Sequence, residues 1–331
     1  MRRALYSSIG LLAAGLGGMV LVSLRQEESP LQGALDSIDA KEIEADLQFF
    51  ASDELRGRDT PSPELRVAAR FLRARLERLG FKPGAGDSYF HEYKHELPYK
   101  LSSVTRGRRK GRGEEVVLEN VCALWPGNDP SLTDEWILLS AHYDHLGARG
   151  DTIYNGADDN GSGSMALLAL AGALAEYGPM RRSVFLIWVS GEEKGLWGSM
   201  AWTLDPRLPE GVRPVCNINV DMVGRNGSDG LNITPTRNHQ AYNGLSRLAE
   251  RLGPREGFPS LGSADAYWLR SDQVNFSRNL KIPVAFFFAG EHEDYHQPGD
   301  TADKIDYDKV RRVTRLVLRM VYAMQEDNLV L

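Results

Sequence analysis

Carboxylate and imidazole side chains recur at the ends of apolar runs in this sequence. Four of these runs end as ILLSAHYD, FLIWVSGEE, NINVDM and VAFFFAGEHEDYH, and the loop NGADDNGSGS follows the first of them. Imidazole and carboxylate donors without a thiolate are typical of sites for zinc or another divalent transition ion. The candidate donors in these segments are His142, Asp144, Asp158, Asp159, Glu192, Glu193, Asp221 and His296.

The number of candidate donors predicts two metal ions rather than one. A single catalytic zinc usually takes three protein ligands and a water. Two ions that share a carboxylate, about 3.5–4 Å apart, can instead hold a water together and polarise a carbonyl group. The pattern therefore predicts a two-metal site, preferably for zinc, that is suited to the attack of water on a carbonyl.

The elements that would position these donors have an α/β pattern. Continuous apolar strands alternate with helix-like stretches, which cover residues 164–177, 196–204, 240–252 and 307–324. This pattern predicts a single α/β domain with a mostly parallel, mixed central sheet and helices on both faces. Ligands of such sheets bind outside the carboxyl ends of the strands. We therefore expect the candidate donors to converge within a few ångströms at that edge.

The first 24 residues have the pattern of a targeting segment. Arg2 and Arg3 precede an uncharged run from Ala4 to Leu24 that is long enough to span a bilayer. We interpret residues 1–24 as a signal peptide or membrane anchor, residues 25–38 as a polar linker and residues 39–331 as the catalytic domain. Paired arginines favour a cytoplasmic N-terminus, so the domain would be exported, either periplasmic or extracellular. It would stay attached to the membrane wherever the segment is not cleaved.

Composition excludes one broad class of partner. The chain has 331 residues and a formal net charge of −6, without the basic excess of a nucleic-acid-binding protein. The basic run RGRRKGRGEE, residues 106–115, is typical of an exposed loop tip. Cys122 and Cys216 lie in strand-like runs and are too few for a disulfide framework, so we expect buried free thiols. The sequence indicates no particular oligomeric state.

Five linked motifs resemble those of the M28 family of co-catalytic zinc peptidases. The motifs are AHYDH, GADDNGSG, SGEEKGLWGS, NVDMVG and DYHQPGDT, which occur in the order of the family and at compatible spacings. The resemblance covers about residues 118–325, the predicted zinc core, and extends to the earlier segment DELRGRDTPS. It implies a zinc-exopeptidase fold, two Zn²⁺ ions and a peptide substrate that is cleaved at its N-terminus.

The resemblance also implies a role for each matching residue. His142 and Asp221 would hold one zinc ion. Glu193 and His296 would hold the other, and Asp159 would bridge both. A cis peptide bond would follow Asp159.

Three further residues would serve catalysis. Glu192, which is not a ligand in this scheme, would act as the general acid/base, because a carboxylate beside a metal-bound water can accept its proton. In some family members a tyrosine before the last histidine steadies the oxyanion, and Tyr295 has that position. Asp144 lies two residues after His142 on the same face of an extended strand, so we expect it to accept the second ring N–H of that histidine.

Two alternatives to a di-zinc aminopeptidase stay open. One is a mono-zinc glutaminyl cyclase, whose fold and ligands are similar, and the other is a non-catalytic binding protein on the same fold. Outside the motif positions, we interpret His145 and His292 as loop residues and Asp158 as a loop hydrogen-bonding residue. Asp272 is interpreted first as a helix cap and second as a substrate contact.

Overall fold

A nine-stranded sheet forms the centre of the computed structural model, which describes residues 30–97, 114–327 and 331. The strand order is β1-β3-β7-β4-β8-β11-β9-β10, with β2 paired to β3. A separate two-stranded sheet pairs β5 with β6. The strands are β1 (Lys82–Pro83), β2 (Phe90–Leu97), β3 (Glu114–Trp125), β4 (Glu135–His142), β5 (Gly147–Arg149), β6 (Thr152–Tyr154), β7 (Ser183–Val189), β8 (Arg213–Val220), β9 (Asn232–Thr234), β10 (Gly262–Ser263) and β11 (Val284–Phe288).

The middle of the sheet is parallel and its flanks are mixed. Strands β7, β4, β8 and β11 run parallel, and Leu139 of β4 pairs with Leu186 of β7 and Ile218 of β8. Strand β3 is antiparallel to β7, and β9 is antiparallel to β11. Every residue of β7 is buried, which explains its continuous apolar sequence. The predicted mostly parallel, mixed sheet is confirmed.

Helices cover both faces of this sheet. Side chains alternate along a strand, so Leu139 packs into one apolar cluster with Leu170 and Leu316, while the adjacent Leu138 packs into another with Trp202. The helices are α1 (residues 30–36), α2 (Ala40–Phe50), α3 (Pro63–Arg78), α4 (Gly163–Tyr177), α5 (Trp197–Leu204), α6 (Gly244–Leu252), α7 (Gln273–Asn275) and α8 (Tyr307–Ala323).

The second half of the predicted linker is part of the folded domain. Residues 30–36 form helix α1, and Leu31, Leu35 and Ile38 are at most 8% exposed. Arg315 of α8 donates a hydrogen bond from Nη1 to the carbonyl oxygen of Leu35 at 2.8 Å. The interpretation of residues 25–38 as a polar linker is therefore wrong from residue 30 onward, because these apolar side chains gain free energy by burial against the domain.

A buried arginine attaches the segment before the core to the loops around β4. Arg58, which is 0% exposed, donates from its guanidinium to the carbonyl oxygens of Phe50, Tyr143, Asn155 and Gly156 at 2.6–3.0 Å. Burial lowers the pKa of Arg58 to about 10, so the guanidinium stays charged at neutral pH. The motif DELRGRDTPS thus places a permanent positive charge inside the domain.

Two of the sequence predictions fall outside the described part of the chain. These are the targeting segment, residues 1–24, and most of the basic run at residues 106–115. Among the residues that the structure describes, no helix is both long enough and apolar enough to cross a membrane. Cys122 and Cys216 are buried and unpaired, as expected.

Two truncated proteins test whether α1 belongs to the fold. A chain of residues 39–331 should be less stable to urea than a chain of residues 30–331 by at least about 3 kcal/mol, because it loses the buried side chains of Leu31, Leu35 and Ile38. The measurement is the free energy of unfolding of both chains at the same metal loading. Equal unfolding curves would mean that α1 only rests on the surface.

Candidate metal centre

One pair of carboxylates and an imidazole meet where β4 and β8 end. His142 is the last residue of β4, and Asp221 directly follows β8. His142 Nε2 lies 3.2 Å from Asp159 Oδ1 and 3.3 Å from Asp221 Oδ1. We call this group, His142, Asp159 and Asp221, the first position. All three residues are buried.

A second group shares Asp159. Its other oxygen, Oδ2, lies 3.1 Å from His296 Nε2, which in turn lies 3.2 Å from Glu193 Oε2. We call the group around Asp159 Oδ2, Glu193 and His296 the second position. Asp159 therefore faces one imidazole with each carboxylate oxygen, and the structure brings together all five predicted donors.

The tautomer of His142 shows that these atoms suit a cation. His142 Nδ1 lies 3.2 Å from the carbonyl oxygen of Asp144, which can only accept a hydrogen bond. With its proton on Nδ1, the neutral ring has its lone pair on Nε2, the atom that faces two carboxylate oxygens and that a metal ion would bind. Asp221 Oδ1 and Glu193 Oε1 are buried without a hydrogen-bond partner in the described part of the chain. Such buried electron pairs are costly unless a positive charge compensates them, so the residues fit zinc.

The electrostatics of both imidazoles agree with that conclusion. Burial disfavours a charged His142, yet the carboxylates of Asp221 and Glu192 outweigh it and raise the pKa of His142 well above its ordinary value. Burial also opposes charge on His296, but hydrogen bonds to Asp159 and a second carboxylate raise its pKa to about 10. The centre attracts positive charge at both positions.

The two adjacent glutamates have different surroundings. Glu193 has a side chain that is 4% exposed and turns towards His296. Glu192 instead lines an open cleft together with His142 and Asp221. Burial raises the pKa of the Glu192 carboxyl well above its usual value. A carboxyl group with a raised pKa beside metal ligands is suited to accept and return a proton.

Asp144 supports the centre differently from the prediction. Its carboxylate Oδ1 is 3.7 Å from His142 Nδ1, farther than its backbone carbonyl. The carboxylate accepts instead from the hydroxyl of Thr60 at 2.9 Å and from the backbone N–H of Glu192 at 3.2 Å. The expected hydrogen bond from His142 to the Asp144 side chain is therefore wrong: the backbone holds the imidazole, because the strand ends at His142 and the alternation of faces ends with it.

Asp300 holds the loop that carries the shared carboxylate. Its two oxygens accept from the backbone N–H groups of Asp158 and Asp159 at 2.9–3.1 Å. The Asp159–Asn160 peptide bond is cis, as the resemblance implies. Burial and the nearby Asp158 raise the pKa of Asp300 to about 6. Asp300 thus fixes the backbone of Asp159 from the side away from the donors.

Tyr295 borders the cleft beside the second position. Its ring stacks on that of His296 with centroids 3.9 Å apart, and its hydroxyl accepts from Arg270 at 3.2 Å. Burial raises the pKa of Tyr295, so its hydroxyl stays protonated and can donate a hydrogen bond. Phe286 and Phe288 pack beside Tyr295 and form an apolar wall of the cleft.

Three residues that the sequence analysis set aside are buried near the centre. His145 Nδ1 lies 2.8 Å from Glu193 Oε1, so His145 is not an ordinary loop residue. His292 Nε2 lies 3.3 Å from Asp158 Oδ2, so Asp158 approaches an imidazole in addition to making the expected backbone contacts. Asp272 makes no side-chain cap and is 0% exposed, so the helix-cap interpretation is wrong. A second imidazole inside the motif AHYDH was the available signal for His145.

Known proteins of similar fold include peptidases and a cyclase. Zinc aminopeptidase BSAP of Bacillus subtilis superposes with a TM-score of 0.67 at 18% identity, covering 86% of this chain and 95% of that one. A glutaminyl cyclase of Porphyromonas gingivalis gives a TM-score of 0.67 at 20% identity, covering 87% and 99%. These similarities confirm the fold.

Comparison of sequences identifies the family of the chain more specifically than comparison of folds. A probable leucine aminopeptidase of Arthroderma otae is 27% identical over 210 residues, which are 60% of this chain and 57% of that protein. The chain thus spans little more than half the length of this relative. The sequence profile of peptidase family M28 matches residues 120–321. Because this match covers more than half of the chain and contains all five donors, the chain belongs to peptidase family M28.

Proposed function

We propose that this protein is a zinc-dependent exopeptidase that cleaves residues from the N-termini of peptides. One observation carries the proposal: a buried donor group and a partly exposed one share Asp159, and the carboxyl group of Glu192 stands beside them at the open cleft. The aminopeptidase names of the relative in Arthroderma otae and of the structural neighbour in Bacillus subtilis support the same activity.

In this proposal each position holds one zinc ion. His142 and Asp221 would hold the first ion, Glu193 and His296 would hold the second, and Asp159 would contribute to both. Two bound zinc ions would lower the pKa of a shared water and polarise the carbonyl of the scissile bond.

Side chains of the protein then transfer the proton and stabilise the negative charge that develops on the substrate oxygen. Glu192 accepts the proton of the attacking water and passes it to the leaving amine, for which its raised pKa is suited. Tyr295 donates its hydroxyl hydrogen bond to the oxygen that gains negative charge. Arg270 donates to that hydroxyl oxygen at 3.2 Å and so holds the phenol in place.

The cleft indicates which N-terminal residue is preferred. Met222, Tyr267, Phe286 and Phe288 line it beside the donors. An apolar wall gains free energy by burying an apolar side chain, at about 25 cal/mol per Å². We infer a preference for peptides with an apolar first residue.

A glutaminyl cyclase is the alternative, because the enzyme of Porphyromonas gingivalis has the same fold. A mono-zinc cyclase needs a single metal position, whereas this chain brings three donors together at each of two positions. That difference favours the peptidase. A non-catalytic binding protein would not require Glu192 at the cleft, which argues against the third alternative.

We further propose that residues 1–24 direct the chain across a membrane and leave the enzyme in the periplasm or outside the cell. The uncharged run from Ala4 to Leu24 behind Arg2 and Arg3 supports this. Full-length chain should fractionate with membranes or be exported, and residues 30–331 should do neither.

A substrate panel with metal counting tests the function. The purified protein with two zinc ions should hydrolyse a dipeptide that begins with a free leucine and should leave the N-acetylated dipeptide intact. A peptide that begins with glutamine should release free glutamine rather than close to a pyroglutamyl ring. One bound ion together with ring closure would identify a cyclase, and no turnover of any peptide would identify a binding protein.

The adjacent glutamates provide a matched pair of variants. Glu192→Gln keeps the size of the side chain and removes the base, so turnover should fall by about 10²–10⁴-fold while both ions stay bound. Glu193→Gln replaces an anionic donor with a weak neutral one, so it should lose the ion of the second position first, with partial rescue by excess zinc. Zinc content and turnover are measured on the same samples. Metal loss in Glu192→Gln alone would mean that the two roles are exchanged.

Asp300 tests whether the loop geometry supports the metal centre. Asp300→Ala removes the acceptor for two backbone N–H groups, so zinc affinity should fall by about 10–100-fold although Asp300 binds no ion itself. The control is Asp303→Ala, an exposed residue of the same loop, which should bind zinc normally. The measurement is zinc occupancy against free zinc concentration. Equal affinity in both variants would show that the cis-peptide loop holds its shape without Asp300.

A further inference from the structure

His145 is a buried imidazole that no step of the proposed mechanism uses. Its side chain is 0% exposed and its ring centre lies 5.8 Å from that of His296. The backbone N–H of His145 donates to the carbonyl oxygen of Arg58 at 3.2 Å. The ring packs on Gly156, where an added Cβ would lie 2.4 Å from the ring Cγ. These contacts therefore fix the position of the His145 ring.

That place lies against the second position. His145 Nδ1 is 2.8 Å from Glu193 Oε1 and 3.8 Å from Asp159 Oδ2. Donor atoms bound to one ion at about 2.0–2.2 Å lie roughly 2.8–3.8 Å apart. Both separations therefore fit donors that share an ion.

A hydrogen bond does not account for the short contact between His145 and Glu193. Both ring nitrogens of His145, and Glu193 Oε1, are buried without a hydrogen-bond partner in the part of the chain that the structure describes. Nδ1 and Oε1 lie 2.8 Å apart, yet the contact lacks the geometry of a hydrogen bond. Buried polar atoms that converge without a shared proton are costly unless a cation compensates them. This is the same signature that Asp221 Oδ1 shows at the first position.

We propose that His145 is an additional ligand of the second position and binds its zinc ion through Nδ1. The inference rests on the proposed two-zinc function and adds one ligand to it. The second position then has four protein donors, from His145, Asp159, Glu193 and His296. The first position keeps three, from His142, Asp159 and Asp221.

This asymmetry assigns different tasks to the two positions. Four protein ligands should retain zinc more strongly than three, and a five-coordinate ion at the second position still leaves a place for the shared water. Donors of both positions line the open cleft, His142 and Asp221 from the first and His296 from the second, whereas His145 and Glu193 do not. We therefore expect the first position to exchange its ion and the second to retain it.

Cobalt substitution of the full-length chain counts the imidazole ligands directly. A histidine bound to Co²⁺ through one nitrogen keeps a proton on the other, which gives one strongly shifted proton NMR signal that disappears in D₂O. The chain loaded with two cobalt ions should show three such signals, from His142, His145 and His296. His145→Asn should show two. His292→Asn, which removes a buried histidine beside Asp158, should keep all three.

Metal retention gives an independent readout. After dialysis against a chelator, the unchanged zinc protein should keep one zinc ion per chain. The His145→Asn variant should keep about ten-fold less zinc per chain. Two bound cobalt ions with only two shifted signals in the unchanged chain would overturn the ligand role of His145 and leave the two-zinc function intact. Failure of the unchanged chain to bind two ions would overturn the proposed function itself. Because the signal count uses the unchanged chain, a variant that fails to fold does not prevent the decision.

Discussion

The burial of several carboxylates at one edge of the sheet is the constraint on which the rest of this structure depends. Asp144, Asp159 and Asp221 are each at most 7% exposed, and the side chain of Glu193 is 4% exposed. Ionised carboxylates lose several kcal/mol each on leaving water unless positive charge or hydrogen bonds compensate them. Arg58 supplies one permanent charge, and the imidazoles with their metal ions would supply the remainder. The centre is therefore an anionic cavity that the surrounding fold keeps assembled for cations.

The strands of the sheet position two of the donors, and the loops position the other three. Parallel central strands bring His142 and Asp221 to one edge, because β4 and β8 end side by side. Loops add Asp159, Glu193 and His296, and the loop of Asp159 is fixed by contacts that do not involve its carboxylate. Asp300 holds the N–H groups of the loop before Asp159, and Arg58 holds the carbonyl groups of the loops around it. The backbone of the Asp159 loop is thus held in place without any ion, which lowers the cost of ordering the shared carboxylate on binding.

The types of the donor residues, and the edge of the sheet at which they lie, could be predicted because both follow general rules of α/β sheets. Continuous apolar strands predict a covered parallel sheet, and donors at strand ends predict a site at the carboxyl edge. Those rules end where the strand ends, which is why they misplaced the Asp144 side chain and did not place the imidazole of His145. Arg58 acts on loops about ninety residues further along the chain, and no local pattern encodes such a contact. Helix α1 was missed because it is short, contains Gly33 and gains its stability from α8 rather than from its own sequence.

Asp144 contacts both the metal-binding residue His142 and the proposed acid/base Glu192. Its carbonyl oxygen fixes the tautomer of His142, and its carboxylate fixes the backbone N–H of Glu192. Gly191 adopts a left-handed conformation with φ of 70° directly before the two glutamates. This turn lets Glu192 face the cleft while Glu193 enters the interior. A shift of the loop after β7 would therefore move the acid/base and the ligand together, and Asp144 would transmit part of that shift to His142. The turn at Gly191 directs the two adjacent glutamates to different sides, so they take different roles. The Asp144 carboxylate sets the position of that turn relative to the first position.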